Sequence, residues 1–199
     1  MSALRLIFPD RCGVCGRLGE AGFCENCRFE LEPMPELPGL FHYSGVGGEA
    51  VRRLKYARST CLIEPMAKLI AERYLAELEG SYDAAVPVPI FWARRFWRGF
   101  NQAEALCEGL PTGFVQRGWL RRIRSTRPQA RLKPEERLAN LKGAFVASPA
   151  VLGRRVLLVD DVVTSGGTFY ACREALMAAG ALEVGLLTFA SSGKRLSDA

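Results

Sequence analysis

The stretch from Arg154 to Thr168, RRVLLVDDVVTSGGT, leaves a chain few ways to fold. Val156, Leu157, Leu158 and Val159 form an unbroken apolar run, the pattern of a strand buried on both faces of a parallel sheet. Asp160 and Asp161 stand where that strand leaves the sheet. Thr164, Ser165, Gly166, Gly167 and Thr168 follow as a short loop of hydroxyls and glycines, and Phe169, Cys172, Leu176 and Ala179 then recur at helical spacing. Glycines let a backbone turn several N–H groups toward one point, and a helix starting there adds unpaired N–H groups and its positive dipole end. The order of strand, acidic pair, Gly/Ser/Thr turn and helix therefore describes a phosphate cradle. The adjacent carboxylates suit sugar hydroxyls or a hydrated Mg²⁺. An ordinary strand-to-helix turn, capped by Thr168 with both aspartates in water, would use the same residue types.

VLLVDDVVTSGGT resembles the phosphoribosyl pyrophosphate (PRPP) signature of type I phosphoribosyltransferases. The resemblance implies that Asp160 and Asp161 are the catalytic acidic pair, lying along the ribose 2′- and 3′-hydroxyls. It implies that Thr164 to Thr168 hold the 5′-phosphate and that Mg²⁺ accompanies PRPP. The acceptor is not encoded in this motif.

At 199 residues the chain is long enough for one substantial core and a small appendage. A formal charge of +6 is compatible with a polyanionic partner and equally with an ordinary soluble protein. No apolar run approaches the ~18 residues of a membrane span. The start, MSALRLIFPDRC, reaches a cysteine too soon for a signal peptide. The expectation is a cytoplasmic protein without membrane insertion. Of seven cysteines, four form two C-x2-C knuckles, Cys12 with Cys15 and Cys24 with Cys27, eight residues apart. Two knuckles can place four thiolates around one structural Zn²⁺. The alternative, two disulfides, belongs to secreted mini-domains. Cys61, Cys107 and Cys172 are isolated among apolar neighbours and are expected to be buried.

The pattern predicts a four-cysteine finger over residues 1–32, a proline-rich linker over 33–39 and an α/β domain over 40–199. Residues 39–43 and 83–89 read as short strands, the second running into Pro87-Val88-Pro89. Residues 48–56 read as a helix with Val51 and Leu54 as apolar contacts, and with Arg52, Arg53, Lys55 and Arg58 on a solvated face. His42, the only histidine, reads as a structural strand residue. A helix over 62–78 follows, with a further helix from 101 to 109 and strands near 119–123 and 184–189. Phe91 to Gln102 interleaves aromatics with Arg94, Arg95 and Arg98. That mixture suits stacking on bases and pairing with phosphates, and it equally suits an amphipathic segment packed under the sheet. Residues 124–145 are polar and basic, predicting a flexible loop near 124–137 and a short helix from Pro134 to Leu141.

The phosphoribosyltransferase resemblance implies two further roles. Val88, Pro89 and Ile90 would meet the pyrophosphate, and Arg124, Thr126, Arg127 and Arg131 would lie on a loop that closes over PRPP. A plain strand terminator remains the alternative at 88–90. The finger, PVP followed by RGFNQ, the R-x-T-x-x-Q arm and VDDVVTSGGT together resemble ComF/ComFC-type competence proteins, whose relatives include GntX-like proteins. That resemblance implies a phosphoribosyltransferase-like sheet, mostly parallel and flanked by helices, behind a small zinc finger. It also implies a role in natural transformation, with single-stranded DNA and a helicase-like competence protein as partners. The loop departs from the family's common T-T-G-A-T at Ser165 and Gly167, which keeps a hydroxyl and removes no donor. An active transferase and a PRPP-sensing scaffold both fit these residues, and a nucleotide-salvage enzyme fits less well because the finger and the RGFNQ segment count against it.

Overall fold

The computed structural model describes residues 10–36, 38–126 and 140–193. Arg127, Arg131 and most of the helix expected between 134 and 141 lie outside the described residues. In chain order the elements are α1 (Glu25–Phe29), β1 (Gly39–His42), α2 (Gly45–Tyr56), α3 (Ile63–Glu77), β2 (Ala84–Pro87), α4 (Trp92–Arg98) and α5 (Gln102–Leu106). They continue with β3 (Leu120–Arg122), β4 (Phe145–Ala147), β5 (Arg155–Val163), α6 (Gly167–Ala178) and β6 (Glu183–Ser191).

Four strands form one parallel sheet in the order β1-β6-β5-β2. The apolar run of β5 explains its central place. Successive side chains of a strand face opposite ways. Leu157 and Val159 join Leu54, Met66 and Ile70 in the core beneath α2 and α3, together with Leu187 and Phe189 of β6. Val156 and Leu158 join Cys172 and Leu176 of α6 on the other face, with Val86, Leu141 and Phe145. A strand with two apolar faces can satisfy both only between two helical layers, which is also what parallel crossovers require. The pair β3–β4 lies outside this sheet, antiparallel, with Leu120 opposite Ala147.

The chain leaves β5 for β6 on one side while β2 lies on the other. In open parallel sheets the crevice beyond the carboxyl ends of such strands is where ligands bind.

The N-terminal cysteines share the main core. Cys12, Val14, Cys24 and Cys27 belong to the cluster that holds Leu54, Leu62 and Phe189, and the Phe23 ring lies 6.2 Å from that of Phe189. The proline-rich segment folds back along the outer edge of β1. Met34 N–H donates to the Leu40 carbonyl at 2.8 Å, and His42 N–H donates to the Glu32 carbonyl at 2.9 Å. This occupies a sheet edge that would otherwise be open. Cys107 and Cys172 are buried as expected, but Cys61 is exposed. It sits in the short turn before α3, where Leu62 alone of that turn enters the core.

Candidate functional site

Alternation along β5 separates its two aspartates. Asp161 follows Leu157 and Val159 toward the α2 layer, and Asp160 follows Val156 and Leu158 toward the α6 layer. On the α2 side, Lys55 Nζ lies 2.7 Å from Asp161 Oδ1. Asp161 is buried, and its N–H donates to Asp160 Oδ1 at 2.9 Å. Burial alone would pull the Lys55 ammonium down, but Asp161 and then Asp160 outweigh it and raise its pKa. Burial first and the neighbouring Asp161 second push the Asp160 carboxyl up to about 7, against the pull of Lys55. Near neutrality, then, Asp160 can either hold or release a proton beside an ion-paired partner.

Beyond β5 the chain turns at Gly166, whose φ of 75° lies in the left-handed region, and α6 begins at Gly167. A side chain at such a φ costs roughly 1–2 kcal/mol, which glycine avoids. Ser192 Oγ donates to the Thr164 carbonyl at 2.9 Å and ties this loop to the end of β6. The first-turn N–H groups of α6 cannot pair within the helix. All of Thr164 to Thr168, together with Asp160 and Asp161, line a single cavity of 740 Å³.

The opposite end of the RGFNQ segment supplies cations to the same cavity. Arg94 and Arg98, four residues apart on α4, both line it. Arg95 turns away and pairs with Glu104, Nη1 to Oε1 at 2.8 Å. Arg98 Nη1 donates to Gln102 Oε1 at 2.9 Å, and the Arg98 guanidinium lies over the Tyr56 ring at 5.5 Å. Asn101 caps α5 by accepting from Ala103 N–H at 3.1 Å and donates to the Val88 carbonyl at 3.1 Å. One buried amide thus fixes α5 against the 88–90 turn, and Val88, Pro89 and Ile90 all line the cavity.

Arg124 is placed elsewhere, donating to the carbonyls of Asn140 and Lys142. Thr126 meets the cavity only through Arg122, whose Nη2 donates to its hydroxyl.

A phosphoribosyl transferase domain model matches residues 102–198. Over 170 residues the chain is 32% identical to DNA utilization protein YhgH of Salmonella typhimurium, covering 81% of this chain and 74% of that one. Competence protein F of Haemophilus influenzae is 29% identical over 194 residues, covering 87% and 81%. The chain belongs to the ComF/YhgH family. A more distant ComF relative, competence protein ComFC of Streptococcus pneumoniae, is 25% identical over 185 residues, covering 92% and 81%. Among solved structures, glutamine PRPP amidotransferase from B. subtilis overlays with a TM-score of 0.40 and 24% identity, covering 62% of this chain and 25% of that one.

The chain also brings together four cysteines that could hold a metal ion. The sulfurs of Cys12, Cys15, Cys24 and Cys27 all lie within 4.8 Å of one another, with Cys15 and Cys24 3.7 Å apart. Four sulfurs placed tetrahedrally about 2.3 Å from one ion stand about 3.8 Å apart, so the set can hold a metal of zinc's size. Backbone N–H groups of Cys15, Cys24 and Val14 outweigh burial and draw the Cys12 thiol down to about 6, while burial and then the neighbouring cysteines push the Cys27 thiol up.

Lys55, Gln102 and Arg122 are among the polar cavity residues that the sequence did not mark as part of the site. Lys55 was assigned to a solvated face, yet it stands four residues after the buried Val51 and beside the buried Leu54, on the flank of the buried stripe. That spacing was the available signal. Gln102 was marked only as the last residue of the RGFNQ motif, and Arg122 carried no signal, because an arginine in a three-residue strand looks like surface.

Proposed function

We propose that this ComF-family chain binds PRPP in the cavity at the carboxyl end of β5 and acts in the handling of transforming DNA. The observation that carries the reading is the meeting, in one cavity, of the Asp160–Asp161 pair and the 164–168 turn. In it the carboxylates take the ribose 2′- and 3′-hydroxyls, with Lys55 holding Asp161 in place. The turn and the start of α6 take the 5′-phosphate. The 88–90 turn meets the pyrophosphate, with Arg124, Thr126 and Arg127 on the chain segment that would cover it. Mg²⁺ bound with PRPP would neutralise pyrophosphate charge, and the carboxylates present are hard oxygen donors of the kind it takes. Four thiolates leave no open position on Zn²⁺, which makes the finger structural.

The names of the relatives, which refer to competence and to DNA utilisation, support a role with DNA. Single-stranded DNA entering the cytoplasm, delivered beside a helicase-like competence protein, is the partner this reading takes. The outward face of α4 supports a contact with it. Trp92 and Phe96 are 70% and 89% exposed, with Arg95 among them, a stacking and phosphate-pairing combination. Among the described residues no helix is long and apolar enough to cross a membrane.

Calorimetric titration of PRPP with Mg²⁺ into the wild type and into an Asp160→Ala, Asp161→Ala double variant tests the pocket. Wild-type binding lost in the variant is the expected result, and undiminished affinity in the variant would refute the assignment. Pyrophosphate release on adding single-stranded DNA or free bases then separates a transferase from a PRPP-sensing scaffold.

A further inference from the structure

The acidic pair already has a cation of its own. Lys55 Nζ lies 2.7 Å from Asp161 Oδ1, with 19% of the lysine side chain and 4% of the aspartate side chain exposed. Asp160 has one oxygen committed as well, since its Oδ1 accepts the Asp161 N–H at 2.9 Å. Each carboxylate therefore keeps one oxygen uncommitted, and the two residues face opposite sides of β5. Mg²⁺ demands near-octahedral oxygen ligands and gives up its water reluctantly. Two single oxygens on opposite faces, one of them on an ammonium-paired carboxylate, make a poor ligand set for it. No third ligand stands by: among the described residues, only the four finger cysteines form a group of three or more His, Cys, Asp or Glu close enough to share an ion. Two single acceptors do suit the two hydroxyls of a sugar diol.

The end of α2 that carries Lys55 is tied down. Leu54, just before it, is fully buried. The Tyr56 ring, just after it, lies under the Arg98 guanidinium at 5.5 Å, and Arg58 donates to the Trp97 carbonyl. Arg58 has a φ of 52°, the one positive value at a non-glycine among the described residues. Such a conformation persists only where the surroundings hold it. The ammonium is thus fixed at Asp161 by the way α2 is anchored to α4. The wider charge balance has the same sense. Lys55, Arg94, Arg98 and Arg122 line the cavity against Asp160 and Asp161, so a free divalent cation is repelled from it.

We propose that Lys55 is a built-in counter-ion that takes the place of a divalent metal at the acidic pair. The pair engages the sugar diol without metal, and any Mg²⁺ in the cavity is carried there on the phosphate oxygens of the ligand. This deepens the PRPP reading and rests on it for the identity of the sugar. It divides the cavity into a metal-free sugar end, balanced by Lys55, and a phosphate end to which the metal is confined.

Two measurements on the full chain test this. Water-proton relaxation reads the uptake of Mn²⁺ alone, with the Asp160→Ala, Asp161→Ala double variant as the blank. Calorimetry reads ribose 5-phosphate affinity in buffer freed of divalent ions and again with Mg²⁺. Wild type should match the blank for Mn²⁺ and bind ribose 5-phosphate within twofold in the two buffers. Lys55→Met should take up Mn²⁺ above the blank and bind ribose 5-phosphate at least tenfold more tightly with Mg²⁺ than without, with urea midpoints certifying the fold. Wild type that takes up Mn²⁺ above the blank, or that gains more than twofold from Mg²⁺, overturns the proposal. A folded Lys55→Met that lacks either response also overturns it. Should Lys55→Met fail to fold, the wild-type measurements decide alone. A wild type that binds neither ribose 5-phosphate nor PRPP removes the PRPP reading, and the Mn²⁺ comparison then decides the role of Lys55 without it.

Discussion

Replacing Asp160 by Asn is expected to make the folded chain more stable at pH 8 while abolishing PRPP binding. Asn retains an oxygen that can accept the Asp161 N–H, now at 2.9 Å, and removes the charge. In the wild type, burial and Asp161 move the Asp160 carboxyl from 3.8 to about 7. The folded chain therefore holds this proton more tightly than the unfolded chain, and its stability falls as pH rises through that window. Three units correspond to about 4 kcal/mol. Asp160 keeps an edge on the cavity, and solvent screening there reduces the figure to on the order of 2–3 kcal/mol. Urea unfolding of both proteins across the pH range supplies the assay. The stability difference between variant and wild type is expected to be near zero at about pH 4, to grow up to pH 7, and to level off above. A difference that does not vary with pH, or a variant less stable at pH 8, would refute the account of Asp160 as a charge crowded by burial and Asp161.

Three further outcomes follow from the same geometry. Lys55→Met leaves Asp161 buried without its cation and is expected to cost about 3 kcal/mol, the low end for a broken buried pair because Lys55 is partly exposed; urea midpoints at pH 8 measure it. Gly166→Ala places a Cβ at a φ of 75° and is expected to cost about 1–2 kcal/mol and to weaken ribose 5-phosphate binding, read by thermal unfolding and calorimetry. Cys24→Ser is expected to release the metal, measured by elemental analysis, and to lower the unfolding midpoint of the whole chain, because Cys24 shares a core with Leu54 and Phe189. A metal-free variant with an unaltered midpoint would show that the finger is energetically separate.

The central strand was legible because a run of four apolar residues ending in two aspartates has few other uses, and the core on both faces of β5 follows from its alternation. What the sequence hid was mostly a matter of which face of a short helix points inward. The three arginines of α4 look equivalent in one dimension, yet the helical period sends Arg94 and Arg98 to the cavity and Arg95 to Glu104. Lys55 was masked by its basic neighbours Arg52 and Arg53, both of which pair with Glu49 on the surface. Strand β4 is three residues long, too short to show a period, and is defined by its partner β3 across a gap in sequence. Cys61 has apolar neighbours in sequence, but a single turn of 3₁₀ helix gives the buried place to Leu62 instead.

Phe23, beside the second cysteine knuckle, stacks within 17° of parallel on Phe189, and a Cβ on Gly13 would come within 2.6 Å of Leu62. The two regions therefore meet without slack. In evolutionary terms the knuckles are not a cassette that a lineage can drop or exchange. A change of size at Phe189 or Leu62 has to be answered within the knuckles, and a truncated chain beginning at β1 would show Phe41 and Phe189 to solvent. Such a chain is expected to aggregate rather than to survive as a smaller folded domain.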